Sequence, residues 1–179
     1  MADSCEVMGT REQRFEAIYT THAGAVYRYG LRRAPERADD LVAEVFLVAW
    51  RKLDDVPEEA LPWLLAVARR VHANVLRGER RRRALTVRLG EQPTFENAAP
   101  VDTRMTEALA LLHERDREVL MLIAWEGLDH AAAARVLGCT RANVAVRMHR
   151  ARKRLAAALA ALEAAPADLT HMTEETGRA

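Results

Sequence analysis

Between Glu12 and Leu162 the apolar residues recur at spacings of three and four, which is the signature of helices that bury one face. No stretch alternates strictly between apolar and polar residues, and no Asn-Gly or Asp-Gly pair offers a hairpin turn. Alanine, leucine, arginine and glutamate dominate, all good helix formers. The pattern predicts an all-α chain. One helix is expected over Glu12 to Arg33, a second over Glu36 to Leu53 and a third over Leu61 to Arg83, with Pro35 and Pro57 in the breaks. Pro62 falls in the first turn of the third, where a missing N–H costs nothing.

The periodicity fails from Ala84 to Arg104, where "GEQPTFENAAPVDT" carries Gly90, Pro93 and Pro100 among polar residues. This is expected to be a flexible linker. Stretched out, its roughly 20 residues reach about 70 Å, close to two turns of B-DNA at about 34 to 36 Å each. Four shorter helices follow, over Met105 to His113, Asp116 to Glu126, Asp129 to Leu137 and Thr140 to Leu162. Asp116, Asp129 and Thr140 are expected N-caps, and Gly127 and Gly138 stand where a left-handed residue ends a helix. The tight "GCT" between the last two helices reads as a helix-turn-helix. The chain is therefore expected to hold two small helical domains, 11–83 and 105–162, joined by a linker at 84–104, with a disordered tail at 163–179.

Charge changes this picture from generic to specific. The 179 residues carry a net charge of only +1, yet Arg69 to Arg83 nets +6 and Arg135 to Arg154 nets +7. The remainder is then about −12, an acidic body with two basic surfaces suited to a polyanion. On a helical wheel, Val144, Met148, Ala151 and Leu155 fall within roughly 60° and form the expected buried seam of the last helix. Asn143, Arg147, Arg150 and Arg154 form a flanking stripe at i, i+4, i+7 and i+11. A helix so built suits the DNA major groove: Thr140, Arg141, Asn143 and Arg147 would face base edges, and Arg150, Arg152, Lys153 and Arg154 phosphates. The third helix repeats the design. Leu64, Val67, Ala68, Val71 and Val75 make its seam, and Arg70, Asn74, Arg77 and Arg81 its basic flank.

At these residues the chain resembles a known family. "LDHAAAARVLGCTRANVAVRMHRARKRL" from Leu128 is similar to the region-4 helix-turn-helix of extracytoplasmic-function (ECF) sigma factors of the sigma-70 family, most specifically in its "RxHRARxxL" ending. "DLVAEVFLVAWRKL" from Asp40 resembles region 2.2, and "PWLLAVARRVHANVLRGERRR" from Pro62 resembles the segment that follows it. The resemblance implies a first domain that binds the clamp of core RNA polymerase and the minus-10 promoter element. It implies a second that binds the minus-35 element and the polymerase flap. Asp40, Leu41, Glu44 and Phe46 then match the clamp-binding helix, with Asp40 and Glu44 exposed and Leu41 and Phe46 in the core. Arg69, Arg70, Asn74, Arg77, Arg80 and Arg81 become the minus-10 set, and Thr140, Arg141, Asn143, Arg147, Arg150 and Arg154 the minus-35 set. The turn from Asp54 to Leu61 would take an extruded base. An anti-sigma protein, which often holds members of this family, is the further partner implied.

The departures from the family pattern bear on specificity. Ala43 stands where the clamp helix usually has glutamine, and Arg70 and Asn74 replace asparagine and aspartate. Ala131 and Ala132 replace two glutamates, and Asn143, Ala145 and Val146 replace threonine, lysine and serine, so the promoter sequence is not legible. Trp50, Trp63 and Trp125 sit on helical seams and are expected in the core. The six histidines form no H-E-x-x-H or triad-like grouping, and Cys5 and Cys139 have no zinc-ligand spacing. No metal, cofactor or enzymatic activity is expected. The longest apolar run, Val119 to Trp125, is far below the roughly 20 residues that span a bilayer, and a cytoplasmic protein is expected. The rival reading is a stand-alone helix-turn-helix regulator, which binds duplex DNA without polymerase and needs no exposed "DLVAEVF" helix.

Overall fold

A computed structural model describes residues 3–87 and 103–164. Seven α-helices account for nearly all of these: α1 (Asp3–Leu31), α2 (Ala38–Arg51), α3 (Ala60–Val87), α4 (Thr103–Ala110), α5 (Glu114–Ala124), α6 (His130–Leu137) and α7 (Arg141–Ala164). Single 3-10 turns at Pro35–Arg37 and Leu53–Asp55 bracket α2. Residues 88–102, the greater part of the expected linker, and 165–179, the expected tail, lie outside the described residues. Where a linker is expected at 84–87, α3 remains helical. Gly78 does not interrupt it, because one glycine costs only about 1 kcal/mol against alanine and good helix formers surround it.

Helices α1, α2 and α3 pack pairwise into one bundle. The α2 seam is Ala38, Leu41, Val45, Phe46 and Ala49, all buried at helical spacing. Leu64, Leu65 and Ala68 of α3 and Val26 and Tyr29 of α1 close the core with no or almost no exposure. Helices α1 and α2 are in close contact at Gly30, where an added Cβ would stand 3.1 Å from Leu41 Cδ2 and 3.2 Å from Ala38 Cα. The Ala38 backbone cannot yield as a side-chain tip can. Gly30→Ala is therefore expected to lower stability by about 1 to 3 kcal/mol, measurable by urea denaturation. An unchanged midpoint would mean that α2 shifts freely at its start.

Helices α4, α5 and α6 pack around α7. The Asp129 side chain accepts from Ala132 N at 2.6 Å and caps α6, and Thr140 Oγ1 accepts from Asn143 N at 3.2 Å at the start of α7. That N–H holds the Asp129 carboxyl below its ordinary value, so the cap is complete above the usual carboxylate range and fails only as pH falls through the lowered value. Gly138 (φ 63°) ends α6 as expected, with Cys139 N donating to Ala134 O at 3.1 Å. Gly127 likewise has φ 67°. Asp116 is not the cap of α5. His113 takes that place, its Nδ1 accepting from Arg115 N, while Asp116 is buried one turn in and pairs with Arg154 of α7.

The two bundles touch. Helix α6 lies against α3, and the buried apolar residues of both form one contiguous cluster. Three sets of ion pairs cross the seam. Glu126 Oε2 sits 2.5 Å from Arg32 Nη2 and its Oε1 3.6 Å from Arg33 Nη1, Glu118 Oε1 is 2.7 Å from Arg69 Nε, and Arg135 Nη2 is 2.6 Å from Glu59 Oε2. Beside the seam, Arg33 lies over the Tyr29 ring, 3.5 Å from its centroid, and burial pushes the Tyr29 hydroxyl up to about 12. The expected core placement is met only in part by Trp63, which is partly buried against the core, and not by its fellows, since Trp50 is 36% and Trp125 45% exposed. Each keeps a cation beside its ring instead, Arg11 at 5.4 Å from Trp50 and Arg32 at 5.9 Å from Trp125.

Candidate nucleic-acid interface

The α7 wheel translates directly into geometry. Val144, Met148 and Ala151 are buried against the neighbouring helices and Leu155 is partly so, which turns the opposite flank outward. Thr140, Arg141, Asn143, Arg150 and Arg154 are exposed, and Arg147 is half-buried. Capping by Thr140 leaves its hydroxyl proton free to donate elsewhere, since a hydroxyl offers one donor and two acceptor sites. Arg154 is the member of this set already engaged, through Asp116. Its guanidinium ties the far end of the stripe to α5.

On α3 the same logic holds. Leu64, Val67 and Ala68 are buried and Val71 and Val75 partly so, leaving Arg70, Asn74, Arg77 and Arg81 exposed. Arg77 donates to the Asn74 side-chain oxygen, so two members of the stripe are joined. The Arg80 side chain lies outside the described residues. Arg69 faces α5 rather than solvent alone, held by Glu118. The α3 stripe begins earlier than its arginines suggest. Trp63 lies seven residues before Arg70 and, with Lys52, Asp55, Arg70 and Asn74, lines an open cavity of about 250 Å³ on the α2–α3 face. Extending the wheel one heptad towards the N-terminus finds Trp63, but Lys52 and Asp55 come from another element and have no such signal.

The segment leading into α3 is held in place. Arg11 donates to Asp54 Oδ2 at 3.0 Å and to the Trp50 carbonyl at 2.9 Å, and Arg14 donates to the Val56 carbonyl at 2.5 Å. Val56 is buried beneath it. These two α1 arginines carry no sequence signal for the role, being some 40 residues away from the atoms they hold.

On α2, Asp40 and Glu44 are exposed and Leu41 and Phe46 buried. Leu47, 48% exposed, falls on the same flank as the two carboxylates and adds an apolar contact point to that surface. Beside it, Phe15, Tyr19, Phe46 and Trp50 form an aromatic cluster, with the Phe15–Trp50 centroids 5.2 Å apart at 78°.

Comparisons with known proteins agree with this layout. Residues 18–82 match the family profile "Sigma-70 region 2", and residues 102–155 match "Sigma-70, region 4". The chain is 33% identical over 144 residues to the ECF RNA polymerase sigma factor SigL of Mycobacterium tuberculosis, covering 74% of this chain and 81% of that protein. Among solved structures it is similar to CnrH in complex with the cytosolic domain of CnrY, at a TM-score of 0.58 and 27% identity, covering 82% of this chain and 88% of that one. The fold also matches the sigma factor RpoE, solved in complex with the anti-sigma factor NepR from Bartonella quintana. That match has a TM-score of 0.66 and 24% identity, covering 82% of this chain and 96% of the other.

Proposed function

We propose, from the premise that this chain belongs to the sigma-70 family and there to the ECF RNA polymerase sigma factors, a division of labour among its three exposed surfaces. The protein directs core RNA polymerase to promoters, and the polymerase makes the phosphodiester bond. The acidic α2 face, Asp40 and Glu44 with Leu47 beside them, docks on the polymerase clamp while Leu41 and Phe46 anchor the helix from within. The α3 stripe and the cavity at Trp63 take the minus-10 element. At about 250 Å³ the cavity falls just below the roughly 300 to 1,000 Å³ of small-molecule sites, a size that suits one extruded base. The α7 stripe reads the minus-35 element in the major groove. The domain limits that serve this division are 11–83 and 105–162.

The observation that carries this reading is the presence on one chain of an exposed acidic helix face and two exposed basic stripes. A stand-alone regulator has no use for the first. An inhibitory protein partner fits the same frame, supported by CnrH having been solved with a CnrY domain on it. No helix among the described residues is long and apolar enough to cross a membrane.

Run-off transcription across a promoter library tests the reading. Initiation should require both core polymerase and this chain. Tight footprinting of duplex DNA by the chain alone, unchanged by polymerase, would instead establish the regulator. Within the same assay Arg147→Ala and Arg150→Ala separate base reading from phosphate contact. The first is expected to relax preference at one upstream position by about 1 to 3 kcal/mol. The second is expected to weaken all promoters alike and to reduce the salt slope by about 0.9. Identical profiles for the two would contradict the assignment of the α7 faces.

A further inference from the structure

We propose that Arg11 and Arg14 of α1 are positioning residues, which hold the turn before α3 in the shape that receives an extruded minus-10 base. The inference rests on the reading of the cavity at Trp63 as the site of that base. Trp63, Arg70 and Asn74 reach this cavity from α3, but Lys52 and Asp55 reach it from the turn that joins α2 to α3. A wall made by a turn is only as fixed as the turn, because ordering each backbone residue has an entropy cost. The bonds within the turn are local: Asp55 N donates to Lys52 O at 2.9 Å and Val56 N to Leu53 O at 3.2 Å. Leu53 and Val56 are buried beneath it, while Asp54, Asp55, Pro57, Glu58 and Glu59 are exposed.

The two arginines bracket Asp55. Arg11 donates through Nη1 to Asp54 Oδ2 and through Nη2 to the Trp50 carbonyl, and Arg14 donates through Nη2 to the Val56 carbonyl. The Trp50 carbonyl belongs to the last turn of α2, where carbonyls lack partners inside the helix, so Arg11 closes that helix end and holds Asp54 with one guanidinium. The same guanidinium stands 5.4 Å from the centroid of the Trp50 ring. The residues on either side of Asp55 are thus fixed by charged donors from α1, and Asp55 is left to the cavity. A turn already in place adds no ordering cost at the moment the base leaves the stack. Both arginines precede residue 18, where the match to sigma-70 region 2 begins, so the grip comes from the part of α1 that this profile does not cover.

The test uses the full chain with core polymerase on two templates, a duplex promoter that wild type uses and the same promoter with its minus-10 element mismatched and therefore already open. Arg11→Ala with Arg14→Ala should slow the appearance of the first short transcripts about tenfold on the duplex, the worth of one hydrogen bond from a charged donor. On the mismatched template, where no base has to leave a stack, the rate should stay close to wild type, and so should binding to core polymerase. In the free chain, backbone amides of the turn should lose protection from hydrogen exchange. Lysine variants separate positioning from general attraction to DNA and serve if the double variant does not fold. Arg14 makes one bond to the turn, so Arg14→Lys should recover most of the rate. Arg11 makes two with a planar fork that lysine lacks, so Arg11→Lys should recover little. Equal slowing on both templates, unchanged exchange in the turn, or full recovery by both lysines would overturn the proposal. A chain that initiates normally without the two arginines removes the grip and leaves the functional reading, whereas a wild-type chain that never supports initiation removes the functional reading itself.

Discussion

Reversing the two exposed charges of α2, Asp40→Lys with Glu44→Lys, should weaken binding to core RNA polymerase by about 100-fold or more. Like charges facing each other across an interface cost several kcal/mol, and every 1.4 kcal/mol is a factor of ten. Both residues are exposed while Leu41 and Phe46 are buried, so the substitutions change the surface and leave the seam that holds the helix. The fold loses only the favourable effect of an acid in the first turn at Asp40, about 0.3 to 1 kcal/mol. Neutral replacements, Asp40→Asn with Glu44→Gln, should give a smaller loss of about tenfold, since they remove attraction without adding repulsion. Anisotropy titration of labelled chain with core polymerase reads both. Wild-type affinity in the reversed variant would place the clamp contact elsewhere on the molecule.

Leu64→Ala is expected to cost about 2 to 5 kcal/mol of folding stability and to lower the thermal midpoint by roughly 6 to 15 °C in a chain of this size. Leu64 has no solvent exposure and lies where α1, α2 and α3 meet. Truncation removes buried apolar surface and leaves a cavity that the surrounding helices can fill only partly. Leu111, 67% exposed, provides the contrast, and Leu111→Ala should stay within about 0.5 kcal/mol of wild type. Calorimetry on both variants measures the difference. Equal midpoints would mean that the core collapses around the Leu64 cavity without cost.

The pattern of side chains along the chain made much of this legible. The seams of α3 and α7 follow from the helical period, because the face a residue occupies depends only on its neighbours three and four positions away. The caps at Asp129 and Thr140 and the left-handed glycines at 127 and 138 are local in the same sense. Asp116 shows where locality ends. By composition it looks like a helix start, yet its partner is Arg154, 38 positions on, and it is that contact which explains why an acid is buried there. Trp50 and Trp125 mark the same boundary: their spacing fits a seam, but the cations Arg11 and Arg32 lie over rings that the core leaves partly in solvent.

Periodicity, turn residues and the clustering of arginine thus settled the helical class, the two-part layout and the basic stripes, since each is a property of adjacent or nearly adjacent residues. The pairing of charges did not follow from them. With 27 basic and 26 acidic side chains, almost any acid has a candidate cation, and nothing in the linear order says that Glu126 meets Arg32 and Arg33 or that Glu118 meets Arg69. The cavity at Trp63 and the grip of Arg11 and Arg14 on the turn before α3 are likewise products of packing. They join groups from separate helices, and Coulomb attraction and burial act through space rather than along the chain.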